Sequence, residues 1–102
     1  MSTHLFRLFV AGASPRSFRA QQSLEALVAA ALPDEREVIE VIDVLERPDL
    51  AEEAGVVATP LVVRERPLPT RRVVGDLSDP FRLADALGLD RPLRSISKER
   101  PT

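Results

Sequence analysis

Residues 5–44 read LFRLFVAGASPRSFRAQQSLEALVAAALPDEREVIEVIDV, and the way this stretch divides decides the fold. Its first apolar run, Leu5 to Ala11, is broken only by Arg7. So short a run, apolar on both faces, is the pattern of a buried central strand. Gly12 ends it, and Ser14 before Pro15 is the cap and first-turn pair that opens a helix. Ala20, Leu24, Leu27, Val28, Ala31 and Leu32 then recur at three- and four-residue steps, while Arg16, Arg19, Gln22 and Glu25 fall largely on the other side. That spacing predicts an amphipathic helix of about four turns, stopped by Pro33 and Asp34. Val38 to Val44 is β-branched almost throughout and predicts a second strand. Strand, helix and strand within about forty residues make a βαβ unit, with parallel strands and a right-handed crossover.

The second half is built from shorter pieces. Pro48 opens a helical segment, Asp49 to Ala54, with acidic residues near its positive end and Gly55 as its stop. Thr59-Pro60 precedes the apolar run Leu61-Val62-Val63, Pro67-Leu68-Pro69 forms a turn, and Arg71 to Val74 is a short strand ending at Gly75. Strand, turn and strand at this spacing predict a β-hairpin. Asp79-Pro80 caps a last helix carrying Phe81, Leu83, Ala84 and Leu87, which Gly88 closes. The division expected is one domain over residues 1–90 and a frayed, flexible tail over 91–102.

Composition narrows the functions open to such a domain. At 102 residues, 44% hydrophobic and 29% charged, the chain has the make-up of one globular domain. Aromatics are 4%, without Trp or Tyr, and the formal charge is −2, so neither base stacking nor a basic field points to nucleic acid. There are no cysteines and a single histidine, His4, which removes disulfides, thiolate nucleophiles, Fe–S clusters and histidine-built metal sites. No leader pattern opens the sequence, and no window approaches the roughly 18 apolar residues of a membrane span. The expectation is a soluble cytoplasmic protein with no membrane partner, no cofactor and no metal.

The order β-α-β-α-β-β-α, with a proline just before the third strand, is the thioredoxin-like plan. On that scaffold redox work needs a cysteine in the loop between the first strand and first helix, which here reads Ala11-Gly12-Ala13-Ser14-Pro15-Arg16-Ser17. Serine cannot carry the redox step, and no base stands nearby in sequence to activate it. The chain is therefore expected to have no catalytic residues.

The residues also resemble the KaiB family of circadian-clock proteins. The resemblance is carried by Leu8-Phe9-Val10-Ala11-Gly12, Ser17-Phe18-Arg19-Ala20 and Val41-Ile42-Asp43-Val44-Leu45. It continues through Pro48-Asp49-Leu50-Ala51-Glu52-Glu53, Ala58-Thr59-Pro60, Pro67-Leu68-Pro69 and Arg71-Arg72-Val73-Val74-Gly75-Asp76-Leu77-Ser78. It implies a non-catalytic module that binds a ring-shaped ATPase of the KaiC type and regulates its cycle, displacing partners such as a KaiA-type activator or a sensor histidine kinase. It also implies fold switching between a thioredoxin-like form, expected as a monomer, and a tetrameric form with the second half in βαββααβ order. The first half, through about Leu45, is shared by both forms.

The short, weakly biased segments of the second half suit such a switch, and Pro60, Pro67 and Pro69 each offer a cis option at about 0.5–1 kcal/mol. Pro60 is expected cis; the other two are left open. Relatives commonly carry lysine where this chain has Glu40, a basic residue near Glu53-Ala54-Gly55-Val56, and glycine near Ala86. Ala86 favours the last helix by roughly 1 kcal/mol over glycine, so the thioredoxin-like state is expected to dominate.

The partner-binding residues expected are Arg19, Gln22, Glu53, Gly55 and Val56, exposed around the first two helices. The edge of the second strand, at Glu40 and Ile42, is the place for strand addition. Arg71-Arg72 reads as ordinary strand-end charge before it reads as an acidic-ligand site. An alternative is a glutathione-type small-molecule binder, with Ala58-Thr59-Pro60 facing a peptide-like ligand, Gly75 to Ser78 holding its carboxylate and Ser14 near its thiol. A third possibility is a KaiB-like sensor module acting on a separately encoded histidine kinase.

Overall fold

The computed structural model describes residues 3–33 and 36–89, along which the order is β1 (Thr3–Val10), α1 (Pro15–Ala31), β2 (Arg36–Asp43), α2 (Pro48–Glu53), β3 (Leu61–Arg66), β4 (Arg71–Val74) and α3 (Pro80–Leu87). The expected tail, 91–102, lies outside the described residues. The strands form one mixed sheet in the order β2-β1-β3-β4. β1 runs parallel to β2, with Leu8 opposite Val41 and Phe9 opposite Ile42, and antiparallel to β3. β3 and β4 make the hairpin, with Val62 opposite Val73. The second half thus adopts the thioredoxin-like order and not the βαββααβ alternative.

Alternation along the strands splits the core in two. On one face Phe6, Leu8 and Val10 of β1 and Val62 of β3 meet Ala20, Leu24, Leu27 and Val28 of α1, Leu77, and Leu83, Ala84 and Leu87 of α3. On the other face Phe9, Ile42, Leu61 and Val63 form a smaller cluster, roofed by Leu50, Ala54 and Val56 in and after α2. Away from that roof Arg7 lies between two strands' carboxylates, 3.0 Å from Glu40 and 3.8 Å from Glu65. These exposed pairs set the pattern of the face more than its stability.

The helix ends use the caps read from the sequence. Ser14 Oγ accepts from the Ser17 amide at 3.1 Å, and Asp79 Oδ1 accepts from the amides of Phe81 and Arg82 at 3.0 and 3.3 Å. Both helices start with Pro in the first turn, and Gly88 closes α3 in the left-handed region, φ 73°. β3 runs three residues beyond the apolar Leu61-Val62-Val63, through Arg64, Glu65 and Arg66.

One carboxylate joins the two loops at the top of the parallel pair. Asp43 Oδ1 accepts from the amides of Gly12 and Leu45, both at 2.9 Å. Gly12 sits at φ 74°, with Leu45 Cδ1 3.4 Å from where a Cβ would stand. Replacing Asp43 by alanine leaves two amides without this acceptor and is expected to lower the unfolding free energy by about 2 kcal/mol. Urea unfolding followed by circular dichroism measures it; a loss near zero would show that water replaces the carboxylate at both amides.

Candidate functional site

The expected partner-binding residues separate into three places. Arg19, exposed on α1, lines a cleft of about 290 Å³ with Arg16, Pro60, Gly75, Asp76 and Ser78. Gln22 is exposed one turn further along α1. Glu53 ends α2 and is exposed; Gly55 follows at φ 69° beside a second hollow of about 180 Å³ that also takes in Val57, Leu61 and Val74. The two hollows adjoin, because Pro60 and Gly75 line the first while Leu61 and Val74 line the second. Val56 is half-buried against the smaller core cluster, so part of its surface is committed to packing.

Glu40 and Ile42 lie elsewhere, on the edge strand β2. Glu40 is exposed and hydrogen-bonded by Arg7 Nε. Ile42 requires a correction: its side chain is 5% exposed and belongs to the core, since the register puts it opposite Phe9 under the α2 roof. Only its main chain lies on the sheet's edge. A run that is β-branched on both of its sides does not reveal which of its residues face a helix; the pairing partner decides it.

The Thr59–Pro60, Arg66–Pro67 and Leu68–Pro69 bonds are all cis. Pro60 is buried, and its carbonyl accepts from the Gly75 amide at 3.0 Å, joining the start of β3 to the end of β4. Pro67 and Pro69 are exposed at the hairpin turn.

Of the residues proposed for a glutathione-type site, Pro60 and Gly75 to Ser78 line one cleft, whereas Ser14 lies apart from them. Ser14 lines a separate hollow with Phe18, Gln21 and Val41, and its hydroxyl caps α1 and donates to Ser17 Oγ. Asp76 closes a turn by accepting from the Ser78 amide at 2.9 Å. The Ser78 hydroxyl and amide, with Arg16 and Arg82 adding attraction, hold the Asp76 carboxyl below the usual carboxylate range. A depressed carboxyl contributes from above its unfolded value, so this turn is intact at neutral pH and weakens only as the medium is acidified through the lowered value.

Two arginines have structural work that the sequence did not signal. Arg72 donates to the carbonyls of Ala54 and Gly55, at 3.0 and 3.4 Å, tying β4 to the end of α2. Arg64 is 6% exposed, and its guanidinium donates to the carbonyls of Leu87 and Pro69, both at 2.8 Å. Burial, with Arg71 nearby, pushes its pKa down. Among the described residues no group of His, Cys, Asp and Glu is arranged to hold a metal, and no helix is long and apolar enough to cross a membrane.

The described residues present exposed side chains, two adjoining hollows and an edge strand at β2. The KaiB domain family model matches residues 7–88. A circadian clock oscillator protein KaiB from a Synechococcus strain is 41% identical over 88 residues, covering 86% of this chain and 83% of the relative. A protein of the same name from Prochlorococcus marinus is 40% identical over 97 residues, covering 95% and 79%. Among solved structures, the N-terminal domain of Synechococcus elongatus SasA superposes with a TM-score of 0.73 at 28% identity, covering 100% of this chain and 91% of that domain. Mitochondrial thioredoxin 3 from Saccharomyces cerevisiae superposes with a TM-score of 0.63 at 28% identity, over 83% of this chain and 76% of the thioredoxin. With one family model spanning most of the sequence and relatives this alike over most of their own length, the chain is a thioredoxin-like member of the KaiB family.

Proposed function

We propose that this chain is a non-catalytic, cytoplasmic interaction module that binds a ring ATPase of the KaiC type and regulates its cycle. The observation that carries the reading is the KaiB family match over residues 7–88. The cysteine-free loop between β1 and α1 supports it, since the scaffold holds no thiol for redox chemistry. Arg19, Gln22, Glu53, Gly55 and the exposed part of Val56 are the partner surface in this reading, with Glu40 and the β2 edge open to a KaiA-type or other second partner. Fold switching would act on the second half, where α2 is six residues long and contains no fully buried residue. The thioredoxin-like state would be monomeric, and the alternative state tetrameric. The test is co-elution with a KaiC-type ATPase in the presence of nucleotide. A stable complex that Arg19→Glu weakens at least tenfold is expected; absence of any complex would sink the reading.

The likeness to the SasA N-terminal domain over the full chain favours a second reading, a KaiB-like sensor module acting on a separately encoded histidine kinase. Binding to such a kinase and not to the ring would select it.

A further inference from the structure

Two arginines meet at the end of α3 without an acid between them. Arg64 of β3 reaches the last turn of α3, where its guanidinium donates to the Leu87 carbonyl, and it donates to the Pro69 carbonyl in the hairpin turn. Arg71 opens β4 and is Arg64's partner in the hairpin register. Both side chains come to Gly88: a Cβ there would stand 3.0 Å from Arg64 Nη1 and 3.0 Å from Arg71 Nε. Neither arginine has an ion pair within 4.0 Å among the described residues. Like charges so placed, one of them out of water, repel strongly until a counter-charge joins them. Burial, with Arg71 adding repulsion, pushes the Arg64 pKa down accordingly.

An unmet donor and an open space complete the place. Arg64 is 6% exposed, and its Nε is buried without a hydrogen-bond partner among the described residues. A buried donor of this kind calls for an acceptor. Gly88 has no side chain to fill the space that both guanidinium groups border, and Arg71 is exposed, which opens its side of the pair to solvent.

We propose that Arg64 and Arg71, over Gly88, form a binding site for a phosphate group. A tetrahedral dianion turns oxygens in several directions, so it accepts from two guanidinium groups at once and balances both charges. A carboxylate is planar, carries one charge and is matched by one arginine. Anions are disfavoured at the C-terminal end of a helix, but here the Leu87 carbonyl is already taken by Arg64. The group can come from inorganic phosphate or from a small phosphomonoester. The inference goes beyond the ring-ATPase reading and uses none of the residues assigned there to a partner.

The test uses the full chain alone, with no ATPase, so its failure and the failure of that reading are distinguishable. The nitrogen-15-labelled chain is titrated with sodium phosphate at constant ionic strength and pH 7.5, beside glycerol phosphate and glutarate. Saturable shifts, millimolar or tighter, are expected at the Arg64 and Arg71 Nε–H signals and at the Leu87 and Gly88 amides. The tighter of phosphate and glycerol phosphate identifies the source of the group, and binding of either supports the site. Arg71→Gln should weaken binding about tenfold while the phosphate-free spectrum keeps its dispersion. Arg36→Gln, on the opposite edge strand, should leave Kd unchanged. Equal binding of glutarate, or equal weakening by Arg36→Gln, would overturn the proposal in favour of a general attraction for anions. Shifts that do not saturate, or an unchanged Kd in Arg71→Gln, would also overturn it.

Discussion

Phe6→Ala is expected to lower the unfolding free energy by about 4 kcal/mol, a large part of the roughly 5–15 kcal/mol that holds a domain of this size. Phe6 is fully buried and sits where β1 meets both α1 and α3, so its removal leaves a cavity walled by elements that pack on one another. Phe9→Ala removes the same ring from the other face of the same strand, yet a smaller loss is expected, about 3 kcal/mol. Phe9 is equally buried, but its roof is the short α2 and the residues after it, which can settle into the space. The cost of a large-to-small change depends on how far its surroundings collapse. Urea unfolding by circular dichroism gives both values, the chain having no Trp or Tyr to report by fluorescence. Equal losses would show that α2 is as rigid a wall as α1 and α3. Hydrogen exchange adds a spatial check: Phe9→Ala should strip protection from α2 selectively, whereas Phe6→Ala should lower it throughout.

The two faces also show what the sequence could and could not convey. The face built on α1 was legible because its apolar residues repeat at helical steps beside a run of strand length, and Ser14, Asp79 and Gly88 mark ends by chemistry that acts locally. Arg64 was not legible. Charged side chains are rarely buried without an acid partner, so the apolar run seemed to stop at Val63, whereas β3 continues three residues further. What allows Arg64 inside is the C-terminus of α3, an element more than twenty positions away in sequence, whose free carbonyl provides the acceptor. The side to which Ile42 turns was not legible either, because it is set by the pairing with Phe9, a tertiary fact. Of the candidate site, Arg19 and Gly55 could be named from local pattern and resemblance. Arg16 was read only as part of a solvated helix face, because its place in the cleft depends on where Pro60 and Gly75 come to lie.

Arg64→Ala is expected to cost about 2–3 kcal/mol, and the sign follows from opposing effects. Against the wild type stands the burial of a guanidinium with no acid within ion-pair distance among the described residues, with Arg71 adding repulsion. Its Nε is buried without a hydrogen-bond partner among those residues. In favour stand two short charge-assisted bonds, to Leu87 at the negative end of α3 and to Pro69 in the hairpin turn, together with the packed stem. Alanine loses the bonds and the stem; methionine keeps most of the volume and loses only the bonds, so Arg64→Met should cost about 1 kcal/mol. Because the two carbonyls belong to α3 and to the β3–β4 turn, hydrogen-exchange protection should fall in both together in either variant. Gly88→Ala tests the same contact from outside, since a Cβ there would stand 3.0 Å from both Arg64 Nη1 and Arg71 Nε, at a φ that disfavours side chains. If Arg64→Met proves as stable as the wild type, desolvation outweighs the two bonds and Arg64 is no clasp. If it loses stability while α3 alone loosens, the hairpin turn is held by something other than Arg64.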